Sequence, residues 1–142
     1  MESSSLSHTR WKCQYHIVWI PKYRRKAMFG NIRKHLIEII RELAKQKESH
    51  IEAGHIGIDH VHIYISIPPK YAVAQVVGFI KGKSAIYIAR NFGGKQRNFV
   101  GENFWARGYY VSTVGKDKEV IKAYIKSQEA EDQKIDQLRL FG

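Results

Sequence analysis

The sequence predicts an α+β fold in which helices cover one face of a single antiparallel sheet. Three observations support this fold class: short runs rich in β-branched and aromatic residues, stretches with apolar residues at helical spacing, and the order in which the two patterns alternate. The chain has 142 residues, enough for one domain with a core, and lacks a stretch of linker composition. We therefore expect one domain over residues 1–142, with a flexible N-terminus at 1–9.

Seven segments carry one of the two patterns. In chain order they are a strand at 11–20, a helix at 32–47, strands at 51–58 and 60–67, a helix at 72–92, a strand at 109–114 and a helix at 117–138. Pro21 follows the first strand, and Pro68 follows the third, because proline cannot donate to a strand ladder. The order β-α-β-β-α-β-α is that of a ferredoxin-like split β-α-β fold, which leaves one sheet face for a site.

The formal net charge of +11 favours a nucleic-acid partner, since a field of this sign attracts phosphates before any specific contact forms. Basic clusters interleaved with aromatic residues are typical of surfaces that hold phosphates and stack bases, although any one cluster is as readily a solvated face. The residues that we expect to contact DNA are Lys22, Arg24, Arg25, Lys81, Lys83 and Arg107.

Other function classes are disfavoured by composition. Cys13 is the single cysteine, which excludes a disulfide framework and a cysteine-based zinc cluster. The longest apolar runs are too short to cross a membrane, and residues 1–5 do not resemble a signal peptide, so we expect a cytoplasmic protein. The G-K-S at 82–84 resembles part of a phosphate-binding loop, but the preceding glycine is one residue too close and the stretch has a helical pattern, so nucleotide hydrolysis is not predicted.

The strand at 60–67 alternates strictly between apolar and polar residues. His60 and His62 therefore share the face away from the core, with Cα atoms about 7 Å apart. Two imidazoles at this distance can converge on one cation. The same spacing also fits two polar residues on a solvated sheet face, so the pair alone does not establish a metal site.

The last predicted helix carries Tyr124 and Gln128 four residues apart, hence on one helix face. A phenol beside a metal-held phosphate is a suitable nucleophile, and the amide oxygen of Gln128 is a suitable neutral ligand. Tyr124 also continues an apolar stripe with Val120 and Ile121, so a packed tyrosine is the alternative that the pattern itself favours.

Five ordered motifs identify a resemblance that covers nearly the whole chain. They are Tyr15-His16-Ile17-Val18-Trp19 with Pro21-Lys22-Tyr23-Arg24-Arg25, Asp59-His60-Val61-His62, Lys81-Gly82-Lys83-Ser84, the run from Phe104 to Gly115, and Tyr124-Ile125-Lys126-Ser127-Gln128. In this order and spacing, they resemble the single-tyrosine HUH transposases of small bacterial and archaeal insertion sequences.

The resemblance implies a residue set and a reaction. His60 and His62 are implied as metal ligands, Gln128 as the third protein ligand, and Tyr124 as the nucleophile that forms a 5′-phosphotyrosine link. The implied cofactor is Mg²⁺ or Mn²⁺. The implied partners are single-stranded DNA hairpins at element ends and a second copy of the chain. In one implied arrangement of this homodimer, the last helix of one subunit brings its Tyr to the His pair of the other. Two alternatives stay open: a domesticated repeat-associated relative, and a ferredoxin-like nucleic-acid-binding module without catalysis.

Overall fold

The structure is a computed structural model that describes residues 4–6, 9–22, 31–92, 104–115, 119–120 and 122–130. Its strands and helices are β1 (Ser4–Leu6), β2 (Thr9–Trp11), β3 (Gln14–Trp19), α1 (Asn31–Gln46), β4 (His50–Ile56), β5 (Val61–Ser66), α2 (Val73–Phe92), β6 (Tyr110–Thr113) and α3 (residues 119–130, without 121). The last part of the predicted helix at 117–138 lies outside the described residues.

Four strands form one antiparallel sheet in the order β4-β5-β3-β6. Because β3 lies between β5 and β6, the first long strand occupies an inner position and the two later neighbours flank it, as the split β-α-β arrangement requires. The predicted α+β fold class is confirmed.

The predicted strand at 11–20 is divided in two. Trp11 belongs to β2, which pairs with β1 in a separate two-stranded hairpin, whereas β3 begins at Gln14. The β-forming composition continues through Trp11, but the ladder partner changes, and local composition does not carry that information. The flexibility expected for residues 1–9 is untested by this pairing and stays a prediction.

The main core lies between the sheet and the helices α1 and α2. Alternate residues of β5, among them Val61 and Ile63, are fully buried on this side, as the alternation predicts. Gly54 on β4 permits the close approach of α1, since a Cβ there would lie 2.6 Å from the Ile37 Cδ1 atom. Each buried aliphatic side chain of this core contributes about 1.5–3 kcal/mol by removal from water.

Helix α3 lies against the opposite sheet face, which the sequence prediction leaves free of helices. Its Ile125 is buried with Tyr64 and Val114 in a small second cluster. Beside this cluster, the Tyr64 hydroxyl donates to Gln14 Oε1 at 2.8 Å, and the Gln14 amide donates to Ser66 Oγ at 3.2 Å. Helix α3 therefore covers the polar side of β5.

A search of the described residues finds no helix whose length and apolar content would let it cross a bilayer.

Candidate functional site

His62 lies near the start of the inner strand β5, on the sheet face that α3 covers. In the sheet, His62 pairs with Val18 of β3 on one side and with His55 of β4 on the other, and its side chain is buried. His60 directly precedes β5, and its Nδ1 lies 3.0 Å from Asp59 Oδ1. The two rings of the predicted pair have centres 6.4 Å apart. The structure therefore brings both predicted histidines to one end of this face.

Gln128 of α3 connects His62 to Tyr124. Its Oε1 accepts a hydrogen bond from His62 Nδ1 at 2.7 Å, and its Nε2 donates to the Tyr124 hydroxyl oxygen at 3.1 Å. An amide oxygen can only accept, so the Nδ1 of His62 carries the proton and the Nε2 of the neutral ring carries the lone pair. One side chain thus places the predicted nucleophile beside a predicted ligand within a single chain.

Tyr124 is exposed, with 56% of its surface accessible, and its ring centre lies 5.9 Å from that of His62. The interpretation of Tyr124 as a packed member of an apolar stripe is therefore wrong. Val120 is also exposed, because α3 contacts the sheet along the line of Ile125 and Gln128 instead. A reactive phenol needs this access.

His16 is a neighbour of the site that the residue patterns did not identify. It lies on β3 opposite Tyr64, its Nε2 contacts the Nε2 of His62, and the two ring centres are 4.1 Å apart. The alternation in β3, with Ile17 and Trp19 in the main core, assigns His16 to the other face. The strand order that brings it beside His62 is not visible in the local pattern.

The pKa of His62 is lowered to about 4, chiefly by burial; the hydrogen bond to Gln128 acts in the opposite direction, and the nearby rings of His16, His60 and His55 contribute to the lowering. Burial also lowers the pKa of His16. Both rings are therefore neutral near pH 7, which is the protonation state that can bind a metal ion.

The predicted ligands fit a divalent cation by their chemistry. Two imidazole nitrogens and one amide oxygen are neutral donors, and neutral donors leave the charge of a cation undiminished for work on a phosphate. The Nδ1 of His60 faces Asp59, so its Nε2 is available, as in metal sites where an oxygen acceptor orients the ligating ring. Within the described ranges, no three His, Cys, Asp or Glu side chains already surround one point.

The predicted DNA contacts are placed differently from one another. Lys83 and Arg107 are exposed, and Lys22 is partly exposed at the end of β3. Lys81 is half-buried, and its ammonium group donates to the carbonyl oxygens of Ala106 at 2.9 Å and Gly108 at 2.8 Å. Lys81 therefore has a structural role in holding residues 106–108, and its contact with DNA phosphates stays a prediction. Arg24 and Arg25 lie outside the described residues.

Comparison with known proteins gives matches over most of the chain. A family model described as "Transposase IS200 like" matches residues 9–128. The transposase for insertion sequence element IS200 of Salmonella typhimurium is 42% identical over 139 residues, which cover 98% of this chain and 91% of that protein. The ISDra2 transposase TnpA of Deinococcus radiodurans is 29% identical over 119 residues, covering 83% of this chain and 85% of the relative.

Solved structures agree with these relatives. The crystal structure of a protein assigned as a transposase from Deinococcus radiodurans has a TM-score of 0.71 and 28% identity, covering 89% of this chain and 98% of that one. The structure of a REP-associated tyrosine transposase bound to a REP hairpin has a TM-score of 0.59, covering 86% of this chain and 70% of that one. At 17% identity, the second likeness shows the fold alone. The match of the family model over most of the chain and the extent of the Salmonella relative show that this chain belongs to the IS200-like family of transposases.

Proposed function

We propose that this transposase cuts and rejoins single-stranded DNA at insertion-sequence ends through a 5′-phosphotyrosine link to Tyr124, assisted by Mg²⁺ or Mn²⁺. The observation that supports this proposal most is the Gln128 amide, which contacts His62 with one end and Tyr124 with the other. A packing role for Tyr124 does not explain why its ring is exposed while its hydroxyl is held.

The metal ion would be held by His60, His62 and Gln128. When bound, it supplies positive charge that neutralises the scissile phosphate and stabilises the leaving oxygen. The protein's own part is to keep the His62 ring neutral and to orient both rings. Burial keeps the His62 ring neutral, and Asp59 orients the His60 ring through its Nδ1. The Gln128 oxygen contacts His62 Nδ1 in this structure, so it would turn from that nitrogen to the metal ion when the ion binds.

Tyr124 would attack the phosphorus atom. A bond forms between the phenol oxygen and phosphorus, the bond from phosphorus to the 3′ oxygen breaks, and the proton lost by the phenol is balanced by one gained at the free 3′ hydroxyl. The Gln128 N–H that donates to the phenol oxygen stabilises the phenolate as it develops. The phosphotyrosine bond keeps the energy of the broken phosphodiester, so rejoining needs no ATP.

Single-stranded hairpins are the proposed substrate, and a homodimer is the proposed assembly. The fold relative solved with a REP hairpin supports a hairpin substrate by analogy of fold. The contact between α3 and His62 within one chain supports a site that one subunit can complete. An arrangement in which α3 reaches the partner subunit is the alternative.

The replacement of Tyr124 by Phe tests the proposal. We expect wild-type protein, incubated with a labelled single-stranded end oligonucleotide and Mn²⁺, to give a covalent adduct that survives denaturing electrophoresis. Tyr124→Phe lacks the attacking oxygen, so its adduct should fall below detection while binding, measured by gel shift, persists. Tyr71→Phe is the matched control, since its hydroxyl donates to Glu48 and its side chain packs against the main core.

Two results would contradict the assignment. An adduct that persists in Tyr124→Phe would place the nucleophile elsewhere. The absence of any adduct from the wild-type protein with its own element ends would instead support a nucleic-acid-binding module without catalysis.

A further inference from the structure

We propose that Tyr110 is a stacking platform for one unpaired base of the single-stranded substrate, beside the phosphate that Tyr124 attacks. The inference rests on the proposed function, because that function places single-stranded DNA at this face of the sheet. It gives Tyr110 a part in binding and positioning the strand and no part in the chemical step.

The sheet register places Tyr110 on the face that carries the site. Val18 of β3 pairs with His62 of β5 on one side and with Tyr110 of β6 on the other. Side chains of directly paired residues lie on the same face of a sheet. Tyr109, the residue before, packs against the main core on the opposite face, as the alternation along a strand requires. Tyr110 therefore lies in one row with His62, at the edge of the sheet.

The aromatic rings of this face follow one another in a line that has a tyrosine at each end. Successive ring centres are 5.9 Å apart from Tyr124 to His62, 4.1 Å from His62 to His16, and 6.2 Å from His16 to Tyr110. The two tyrosines are exposed, whereas His62 between them is buried. A DNA strand whose phosphate lies at Tyr124 can thus continue along this line and present a base to Tyr110.

Tyr110 offers an aromatic surface to a ligand, since 60% of its surface is accessible. Its ring meets the ring of His16 edge to face, at an interplanar angle of 75°. A contact of this kind covers at most one face of the phenol ring, so at least one face stays open. Stacking on such a face accepts any base, because every base has a π-face.

The charge near β6 favours a nucleic acid as the ligand. The chain has a net charge of +11, and Arg107, three positions before Tyr110, is exposed. The segment between them is held in place, since the Lys81 ammonium donates to the carbonyl oxygen of Gly108 at 2.8 Å. An exposed cation and an exposed aromatic ring on one fixed segment match the phosphate and the base of a single strand.

A scan of abasic sites through a single-stranded oligonucleotide that carries one element end tests the proposal, because an abasic site removes one base and keeps the backbone. Tyr110→Leu removes the aromatic face and keeps an apolar side chain. We expect it to raise the dissociation constant of the intact oligonucleotide, measured by fluorescence anisotropy, about 5- to 150-fold, the range for the loss of one base stack. Tyr110→Phe keeps the face and should bind as the wild type does.

The abasic scan identifies the stacked base. In the wild type, one abasic site in the unpaired strand beside the cut should weaken binding as much as Tyr110→Leu does. In Tyr110→Leu, the same abasic site should add less than about twofold, because the two changes remove one shared contact. Val111→Thr is the matched control, since Val111 is an exposed residue of the same strand on the opposite face. Thermal unfolding reports whether each variant folds.

The outcomes separate this proposal from the proposed function. If Tyr110→Leu binds as tightly as the wild type, or weakens binding to the intact and every abasic oligonucleotide equally, the stacking role is overturned, and the Tyr124 adduct would still support the proposed function. A loss of affinity that accompanies a change of oligomeric state in sedimentation, with no coupled base, would assign Tyr110 to a contact between copies and also overturns it. A coupled base in a chain that forms no Tyr124 adduct supports the stacking role and contradicts the proposed function.

Discussion

Gly57 determines where the ring of His60 can lie. Its N–H donates to the carbonyl oxygen of His60 at 2.8 Å and closes the turn between β4 and β5. A Cβ at this position would fall 2.6 Å from His60 Nδ1 and 3.1 Å from Nε2. Any side chain at 57 must therefore displace the imidazole from its contact with Asp59.

We expect Gly57→Ala to weaken Mn²⁺ binding roughly tenfold, because the displaced His60 ring loses the orientation that its contact with Asp59 gives it. Isothermal titration with Mn²⁺ measures the change. Gly78→Ala is the control: a Cβ at this exposed position in α2 would meet nothing within 4 Å, and alanine stabilises a helix by about 0.5–1 kcal/mol relative to glycine. An affinity equal to that of wild type in Gly57→Ala would show that the His60 ring is not positioned by this contact.

The low pKa of His62 predicts a dependence of stability on pH. The folded ring titrates at about 4, and the unfolded ring near its ordinary value of 6.5. Between these values the unfolded chain binds more protons, so the free energy of unfolding falls as the pH falls from 6.5 toward 4. The charged forms of His16, His60 and His55, which face His62, act in the same direction.

For metal-free protein, we expect the melting temperature to fall more steeply between pH 6.5 and pH 4.5 in wild type than in His62→Gln, which removes this titration. Scanning calorimetry in EDTA measures both slopes. Parallel slopes would mean that the acid sensitivity comes from other groups.

At the level of single residues, the sequence predicted what depends on local geometry. Strict alternation in β5 placed His62 on the face opposite Ile63, and the structure confirms it. The position of His16 beside His62 could be predicted only from the strand order. The exposure of Tyr124 could be predicted only from the line along which α3 packs on the sheet. Both are long-range features that no local period contains.

Among the elements, α2 fixes the segment 104–108 that leads to β6. The Trp105 indole N–H donates to the Ser84 hydroxyl at 3.0 Å, two residues beyond the glycine of the K-G-K-S motif. The Lys81 ammonium holds the carbonyls of Ala106 and Gly108. The same segment joins the end of β3, where Lys22 N–H donates to the carbonyl oxygen of Phe104. The motif therefore holds the segment 104–108 in place where it leads into β6.

We expect Ser84→Ala to lower the free energy of unfolding by about 1–3 kcal/mol, because the buried Trp105 N–H loses its acceptor. Urea unfolding measures the change as a shift in midpoint with an unchanged slope. Lys83→Ala is the matched control on the same helix, since Lys83 is exposed. A loss below about 0.5 kcal/mol, the range of ordinary surface substitutions, would show that Ser84 does not anchor the loop.

The bounds of α2 were predicted within one residue, because apolar residues at helical spacing continue through Gly78 and Gly82. The rejection of a phosphate-binding loop at 82–84 agrees with this helix. The clamp on Trp105 was not predictable, since it joins residues 21 positions apart through a single hydroxyl group.

For the whole molecule, the net charge of +11 and the proposed catalytic residues lie on separate side chains. The salt dependence of DNA binding should therefore be determined by the basic residues and not by the residues of the site. We expect the affinity for a single-stranded oligonucleotide to fall steeply with salt, and Lys83→Ala to reduce the slope of log K against log salt by about 0.7, the contribution of one phosphate on a single strand.

His62→Ala is the counterpart in the same fluorescence-anisotropy titration. It should keep the wild-type salt slope and lose adduct formation, because it removes a proposed metal ligand and no positive charge at neutral pH. Equal loss of binding and cleavage in His62→Ala would favour the view that the histidines hold DNA directly.

The two faces of the sheet are covered by different helices. In β5 and the residue on each side of it, the residue number therefore tells which face a side chain occupies. Odd-numbered positions, from Val61 to Ile67, lie in the main core, and even-numbered ones, from His60 to Ser66, lie on the side of α3. Substitutions at odd positions should mostly reduce the amount of folded protein in a cell. Substitutions at His60 and His62 should leave that amount nearly intact and silence transposition. At the start of β5, the parity of a residue number thus separates damage to abundance from damage to activity, whereas the even-numbered Tyr64 further along is itself buried in the second cluster.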